Sequence, residues 1–171
     1  MSPAVSNATP LIYLAKLGRL HLLREVFGEV YIPEEVRVEV VDRGKTLGER
    51  DAYTIEKALN NGWLKVAAAE PLESPITLQP GESAALSLAR ELAISEIIVD
   101  EVPARIAARL MGLTPRGTIF TLLKALEIKE LNLDDFLRIL GELIKQGFRL
   151  KQEVYLEAVR NAREIAQRSG Q

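Results

Sequence analysis

Ile97-Ile98-Val99-Asp100-Glu101-Val102-Pro103-Ala104-Arg105 carries three β-branched apolar residues straight into two adjacent carboxylates, and a proline then opens an alanine-rich helical pattern. A continuous apolar run of this kind fits a strand buried on both faces, as in a parallel sheet beneath helices. Acids at the end of such a strand need water, a cation or a helix N-terminus to face. In open α/β sheets, ligands bind in the crevice beyond the carboxyl ends of the strands. The fold therefore turns on whether other polar groups reach the same edge.

Upstream, Pro80-Gly81-Glu82-Ser83 starts a helix whose apolar surface is Ala84, Ala85, Leu86, Leu88, Ala89 and Leu92. Residues 70–79 read as a loop, and Trp63-Leu64-Lys65-Val66 as a strand that follows a helix over Asp51 to Leu59. Nearer the start, Ala4-Val5-Ser6-Asn7-Ala8 is a short strand, with Thr9 as N-cap and Pro10 opening a helix. A second short helix ends at Gly28, and Val30-Tyr31-Ile32 is a strand broken by Pro33. Val36, Val38 and Val40 alternate as in a strand, but Pro33-Glu34-Glu35 is a helix start with acids in the first turn. We read a helix from Glu34 to about Asp42. Arg43-Gly44-Lys45-Thr46 resembles the end of a phosphate-binding loop, yet the upstream glycine and strand are missing, so it reads as an exposed loop. Downstream, a helix stops at Gly112, an extended piece leads to Gly117-Thr118, and three further helices follow.

Strands alternating with helices argue a parallel α/β sheet with right-handed crossovers. At 171 residues the chain suits one domain. Hydrophobic content of 47% with 27% charged residues belongs to a folded chain rather than a disordered one. A net charge of -2 gives no whole-domain basic excess of the kind that marks many nucleic-acid binders. The absence of cysteine excludes disulfides and thiolate metal sites, and suits a reducing compartment. No apolar run approaches the roughly 20 residues that span a bilayer, and there is no signal-like start, so a cytoplasmic protein is expected. His21 reads as a helix-packing or surface residue, and Trp63 as a packing residue.

Right-handed crossovers bring several junctions to one carboxyl edge. Asn7 ends the first strand, Glu39 lies on the helix after the second, Glu82 begins the helix before the quoted stretch, and Asp100-Glu101 end that stretch. Oxygen donors gathered there, with no cysteine and a single histidine, describe a site for Mg²⁺ or Mn²⁺. Each residue also has a plainer role. Glu82 suits a helix first turn, Asp100 or Glu101 an N-cap, Asn7 a turn, and Glu39 a solvated helix face.

In order and spacing, Ser6-Asn7-Ala8-Thr9-Pro10-Leu11-Ile12, the Ile32-Pro33 to Glu39 segment, Pro80-Gly81-Glu82-Ser83-Ala84, Val99-Asp100-Glu101 with Arg105, and Gly117-Thr118 resemble PIN-domain proteins. The similarity is to a prokaryotic subgroup with an "N-A-T/S-P-L-I" start and a "G-E-x-x-A" helix. It implies a three-layer α/β fold: a central parallel sheet of four to five strands flanked by helices, over residues 1–130. Residues 131–171 would add C-terminal helices packed on the same domain. The resemblance also implies an Mg²⁺- or Mn²⁺-dependent ribonuclease, often the toxin of a type II toxin–antitoxin pair and commonly a homodimer, with RNA as substrate and an antitoxin protein as partner.

Carried over by position, Asn7 stands where most of the family has the first aspartate. Glu39, Glu82 and Asp100 match the second, third and fourth acids, Glu101 a frequent extra acid, and Thr118 a polar residue near the metal. Asp100, Glu82, Glu39, Asn7 and Glu101 are the expected metal ligands. Thr118 would orient a water or a phosphate oxygen, and Arg105 or Arg116 would pair with a substrate phosphate. Arg105 serves equally well as a surface partner for Glu101. An amide at position 7 brings no negative charge. The chain is thus either a weaker nuclease or a PIN-fold protein serving as an interaction or RNA-binding module. An unrelated α/β ligand-binding domain is the third reading.

Overall fold

The computed structural model describes residues 1–74 and 76–170. Its elements are β1 (Ala4–Ser6), α1 (Ala8–Lys16), α2 (His21–Phe27), β2 (Val30–Pro33) and α3 (Glu34–Arg37), which passes into a π-helical segment (Val38–Arg43) and α4 (Gly44–Thr46). There follow α5 (Asp51–Asn60), β3 (Leu64–Ala67), α6 (Pro80–Glu91), β4 (Glu96–Ile98), α7 (Val102–Leu110), β5 (Thr114–Arg116), α8 (Thr118–Glu127), α9 (Leu133–Lys145) and α10 (Gln152–Arg168). The described positions of the loop expected over 70–79 carry neither helix nor strand, and Pro75 lies outside the described residues.

All five strands pair in parallel, in the order β3-β2-β1-β4-β5. From β1 the chain winds outward to β2 and β3, then returns to the other side of β1 for β4 and β5. Right-handed crossovers in opposite directions place helices on both faces of the sheet. On one face α6 and α7 bury Ala85, Leu86, Leu88, Ala89, Ala104, Ala107 and Ala108 against Val5, Ile97 and Val99. The apolar run that opened the sequence reading is therefore core: Ile97, Ile98 and Val99 are all fully buried. The topological switch point lies between β1 and β4, and this is where a doubly wound sheet leaves its crevice.

By contact density the chain divides into two compact units, Met1–Thr118 and Ile119–Gln171. The first holds the sheet. The second is helical, with α9 and α10 in mutual contact and Phe136, Leu140 and Leu143 fully buried.

Two local readings are corrected and a third holds. The N-cap of α1 is Asn7, with Thr9 and Pro10 already inside the helix. The helix read from Glu34 to about Asp42 is present, and the valine alternation after Pro33 makes no strand. Val36 and Val40 sit a helical turn apart and are buried, while the wider π-helical winding from Val38 also buries Val41. Residues 43–46 continue this helical run instead of forming an exposed loop. Gly44 is buried against α5, so close that an added Cβ would lie 2.8 Å from the Cβ of Ala52. Close packing, not phosphate binding, explains that glycine.

Candidate metal centre

The carboxyl edge at the switch point collects side chains from four junctions. Asn7 follows β1 with extended backbone (φ -88, ψ -170), the ordinary geometry of an N-cap. Its side chain does not cap the helix. Instead Nδ2 donates to Glu101 Oε2 at 3.0 Å, and Oδ1 is left buried with no hydrogen-bond partner among the described residues. A buried acceptor without a donor costs about 1–3 kcal/mol, which makes Oδ1 a candidate ligand atom.

Glu101 is the N-cap of α7, and Pro103 in the first turn favours helix initiation just beyond it. Both of its carboxylate oxygens are engaged, Oε2 by Asn7 and Oε1 by the Thr9 hydroxyl. The sequence reading took Thr9 for a cap and missed this role. No local signal marks it, because Glu101 is brought to Thr9 only by the pairing of β1 with β4.

Asp100 is held from the start of α8. The backbone N–H of Thr118 donates to Oδ1 at 2.8 Å and its hydroxyl to Oδ2 at 2.6 Å. Gly117 makes the approach possible, because a Cβ there would lie 2.9 Å from Asp100 Oδ1. Thr118 is fully buried, and its hydroxyl donates to Asp100. Burial pushes the Asp100 carboxyl up to about 6, a shift opposed by the Thr118 hydrogen bonds and assisted by the charge of Glu101.

Glu82 lies in the first turn of α6, where its Oε1 accepts the Gln79 backbone N–H at 2.9 Å in a capping box. The first-turn role expected of this residue is present. One oxygen caps the helix, while Oε2 is buried with no hydrogen-bond partner among the described residues. Burial raises the Glu82 carboxyl, and the charges of Glu101 and Glu39 raise it further. Glu39 projects from the π-helical segment, a conformation that often occurs at functional sites. Its Oε2 lies 3.4 Å from where a Cβ on Gly81 would be, so the glycine lets it lean over the start of α6. Desolvation raises Glu39, Arg43 opposes the shift, and Glu101 adds to it. Beside Glu39 a cavity of about 500 Å³ opens between Glu35, Val38 and Arg43 on one side and Gln79, Pro80 and Gly81 on the other.

The charge of Glu101 thus acts on Glu39, Glu82 and Asp100 alike. Carboxylates sharing a field disfavour one another's charged forms. Among the described residues no three acidic or histidine side chains already form an ion cage.

The two arginines expected near a substrate phosphate both have protein partners. Arg105 Nη1 donates to the Val99 carbonyl at 2.9 Å and is not bonded to Glu101. Arg116 Nη2 pairs at 3.3 Å with Glu96, which lies at the opposite end of β4 from Asp100. Both residues brace the β4 and β5 ends.

Over residues 3–164 the chain matches the family model DUF3368, described as a PIN domain. The chain belongs to the PIN-domain family. No curated relative matches it. A PIN domain is a nuclease-type fold that generally uses divalent metals, and the family suggests RNA binding. No helix among the described residues is long and apolar enough to cross a membrane.

The side chains at the PIN edge fit a hard divalent cation. The donors are all oxygens, and two of them, Asn7 Oδ1 and Glu82 Oε2, are buried without other partners among the described residues. Asp100 and Glu101 are already oriented by Thr118, Asn7 and Thr9. Preorganised carboxylates lose less freedom on binding an ion.

Proposed function

We propose that this PIN protein is an Mg²⁺- or Mn²⁺-dependent ribonuclease that hydrolyses RNA phosphodiester bonds. The observation that carries the reading is the pair of partnerless buried oxygens, Asn7 Oδ1 and Glu82 Oε2, at an edge where Asp100 is fixed by Thr118. Asp100, Glu82, Glu39, Asn7 and Glu101 would hold the cation. When bound, such an ion binds the scissile phosphate, lowers the pKa of an attacking water and stabilises the leaving oxygen. The residues make this requirement physical. A phosphate approaching four carboxylates is repelled, so the anionic edge accepts RNA only after its own charge is offset. Thr118 keeps Asp100 from swinging away, and the capping box does the same for Glu82.

The test is cleavage of labelled single-stranded RNA with Mg²⁺ or Mn²⁺. Activity should disappear with a chelator and in Asp100→Asn. Intact RNA under every metal condition would overturn the reading.

The motif resemblance further supports a role as the toxin of a type II toxin–antitoxin pair, working as a cytoplasmic homodimer that an antitoxin protein restrains. Growth arrest on expression that vanishes in Asp100→Ala tests it, and unimpaired growth with the wild-type chain contradicts it. A second reading, a PIN module acting through contacts without catalysis, is favoured by the amide of Asn7 in place of an acid. Metal binding without RNA cleavage would select it.

A further inference from the structure

An asparagine at the end of β1 looks like a ligand that has lost its charge. The contacts around it describe something different. Its Nδ2 donates to Glu101 Oε2 at 3.0 Å, and the Thr9 hydroxyl donates to Glu101 Oε1. A carboxylate at position 7 has no proton to donate and would set a like charge against Glu101 at this separation. Asn7 can do what an aspartate carboxylate there cannot, which is to hold the Glu101 side chain by donating a hydrogen bond. The amide orientation follows from the same bond. Glu101 must receive the NH₂ group, so Oδ1 is the atom left buried and without a partner among the described residues.

We infer that the negative charge expected at the end of β1 has been transferred across the switch point to Glu101, with Asn7 and Thr9 as the clamp that positions it. The inference rests on the metal-site reading above and deepens it. Glu101 becomes a principal charge of the cation site, Asn7 a positioning residue that also offers a neutral oxygen, and Thr9 a positioning residue alone.

The experiment is calorimetric titration of Mn²⁺ into the full chain, with the metal-free melting temperature of each variant as the folding control. Glu101→Gln should weaken binding at least about 10-fold, and Thr9→Val about 10-fold, the usual cost of removing a group that orients a metal ligand. Thr9→Ser keeps the hydroxyl and should restore affinity. Asn7→Asp combined with Glu101→Gln exchanges acid and amide while keeping one charge and one hydrogen bond, and should recover most of the affinity lost in Glu101→Gln alone. Wild-type affinity in Glu101→Gln, with binding abolished in Asp100→Asn, overturns the transfer and leaves the site reading intact. Binding unaffected by Asp100→Asn overturns both. Should the exchanged pair fail to fold, the contrast between Thr9→Val and Thr9→Ser decides, and equal affinities there contradict the clamp.

Discussion

Thr118 donates twice to Asp100, its backbone N–H to one carboxylate oxygen and its hydroxyl to the other, at 2.8 and 2.6 Å. One residue at the start of α8 thus fixes the rotation of the acid at the end of β4. Thr118→Val keeps the shape and the N–H bond but removes the hydroxyl. It should cost about 1–2 kcal/mol in a denaturant titration, because hydrogen bonds to charged groups are the stronger kind. Mn²⁺ affinity should fall about 10-fold, and Thr118→Ser should recover much of it.

Gly117 and Gly141 offer a matched pair. A Cβ on Gly117 would lie 2.9 Å from Asp100 Oδ1 and 3.2 Å from Arg105 Nη1, whereas one on Gly141, within α9, meets nothing within 4 Å. Gly141→Ala should raise stability by about 0.5–1 kcal/mol, as alanine does in a helix interior. Gly117→Ala should displace Asp100 and reduce Mn²⁺ affinity while the fold survives, as read by calorimetry beside a thermal melt.

Gly44 tests the fold rather than the site. Its added Cβ would lie 2.8 Å from the Cβ of Ala52, an atom fixed to the backbone of α5 and unable to swing aside. Gly44→Ala should destabilise the chain by about 1–3 kcal/mol, the usual cost of overpacking. An unchanged unfolding midpoint would contradict the packing of 43–46 as helix.

Metal-free stability should rise as the solution is acidified from pH 7.5 to 5. Asp100 has its carboxyl raised from 3.8 to about 6, and Glu39 and Glu82 are raised in the same direction, mainly by desolvation. The folded chain therefore takes up protons at a higher pH than the unfolded one. This stabilisation is full below the unfolded value and is lost as pH climbs through about 6. For Asp100 alone the change between pH 7.5 and 5 is on the order of 1 kcal/mol. Glu29 and Glu34 are lowered by Lys65 and Arg37 respectively, and work the other way only at lower pH, from exposed positions. Denaturant titrations in chelator at the two pH values read the effect, which should shrink in Asp100→Asn.

Much of this molecule was legible in the chain because its strongest signals are local. Ile97, Ile98 and Val99 announce a strand buried on both faces, and Pro80 with Glu82 announces a helix start. What local pattern could not reveal was decided by tertiary partners. Pro33-Glu34-Glu35 made the helix after β2 legible, but not the change from α-helical to π-helical winding that buries Val41 as well. The four residues Arg43-Gly44-Lys45-Thr46 read as loop because nothing in them encodes Ala52 lying above Gly44. Asn7, Glu82 and Asp100 were readable as residues of one edge. Thr9 as a holder of Glu101 was not, since the two are far apart in sequence and joined only by the pairing of β1 with β4. The pairing of β4 with β5 sets Arg116 near Glu96 in the same way.

The central claim, that this PIN edge is a cation site built on Asp100, is tested most directly by titrating Mn²⁺ into the wild-type chain and into Asp100→Asn at neutral pH. The expected result is saturable binding to the wild type with a rise in melting temperature, both absent in the variant. Equal binding to the two proteins, or none to either, would contradict it.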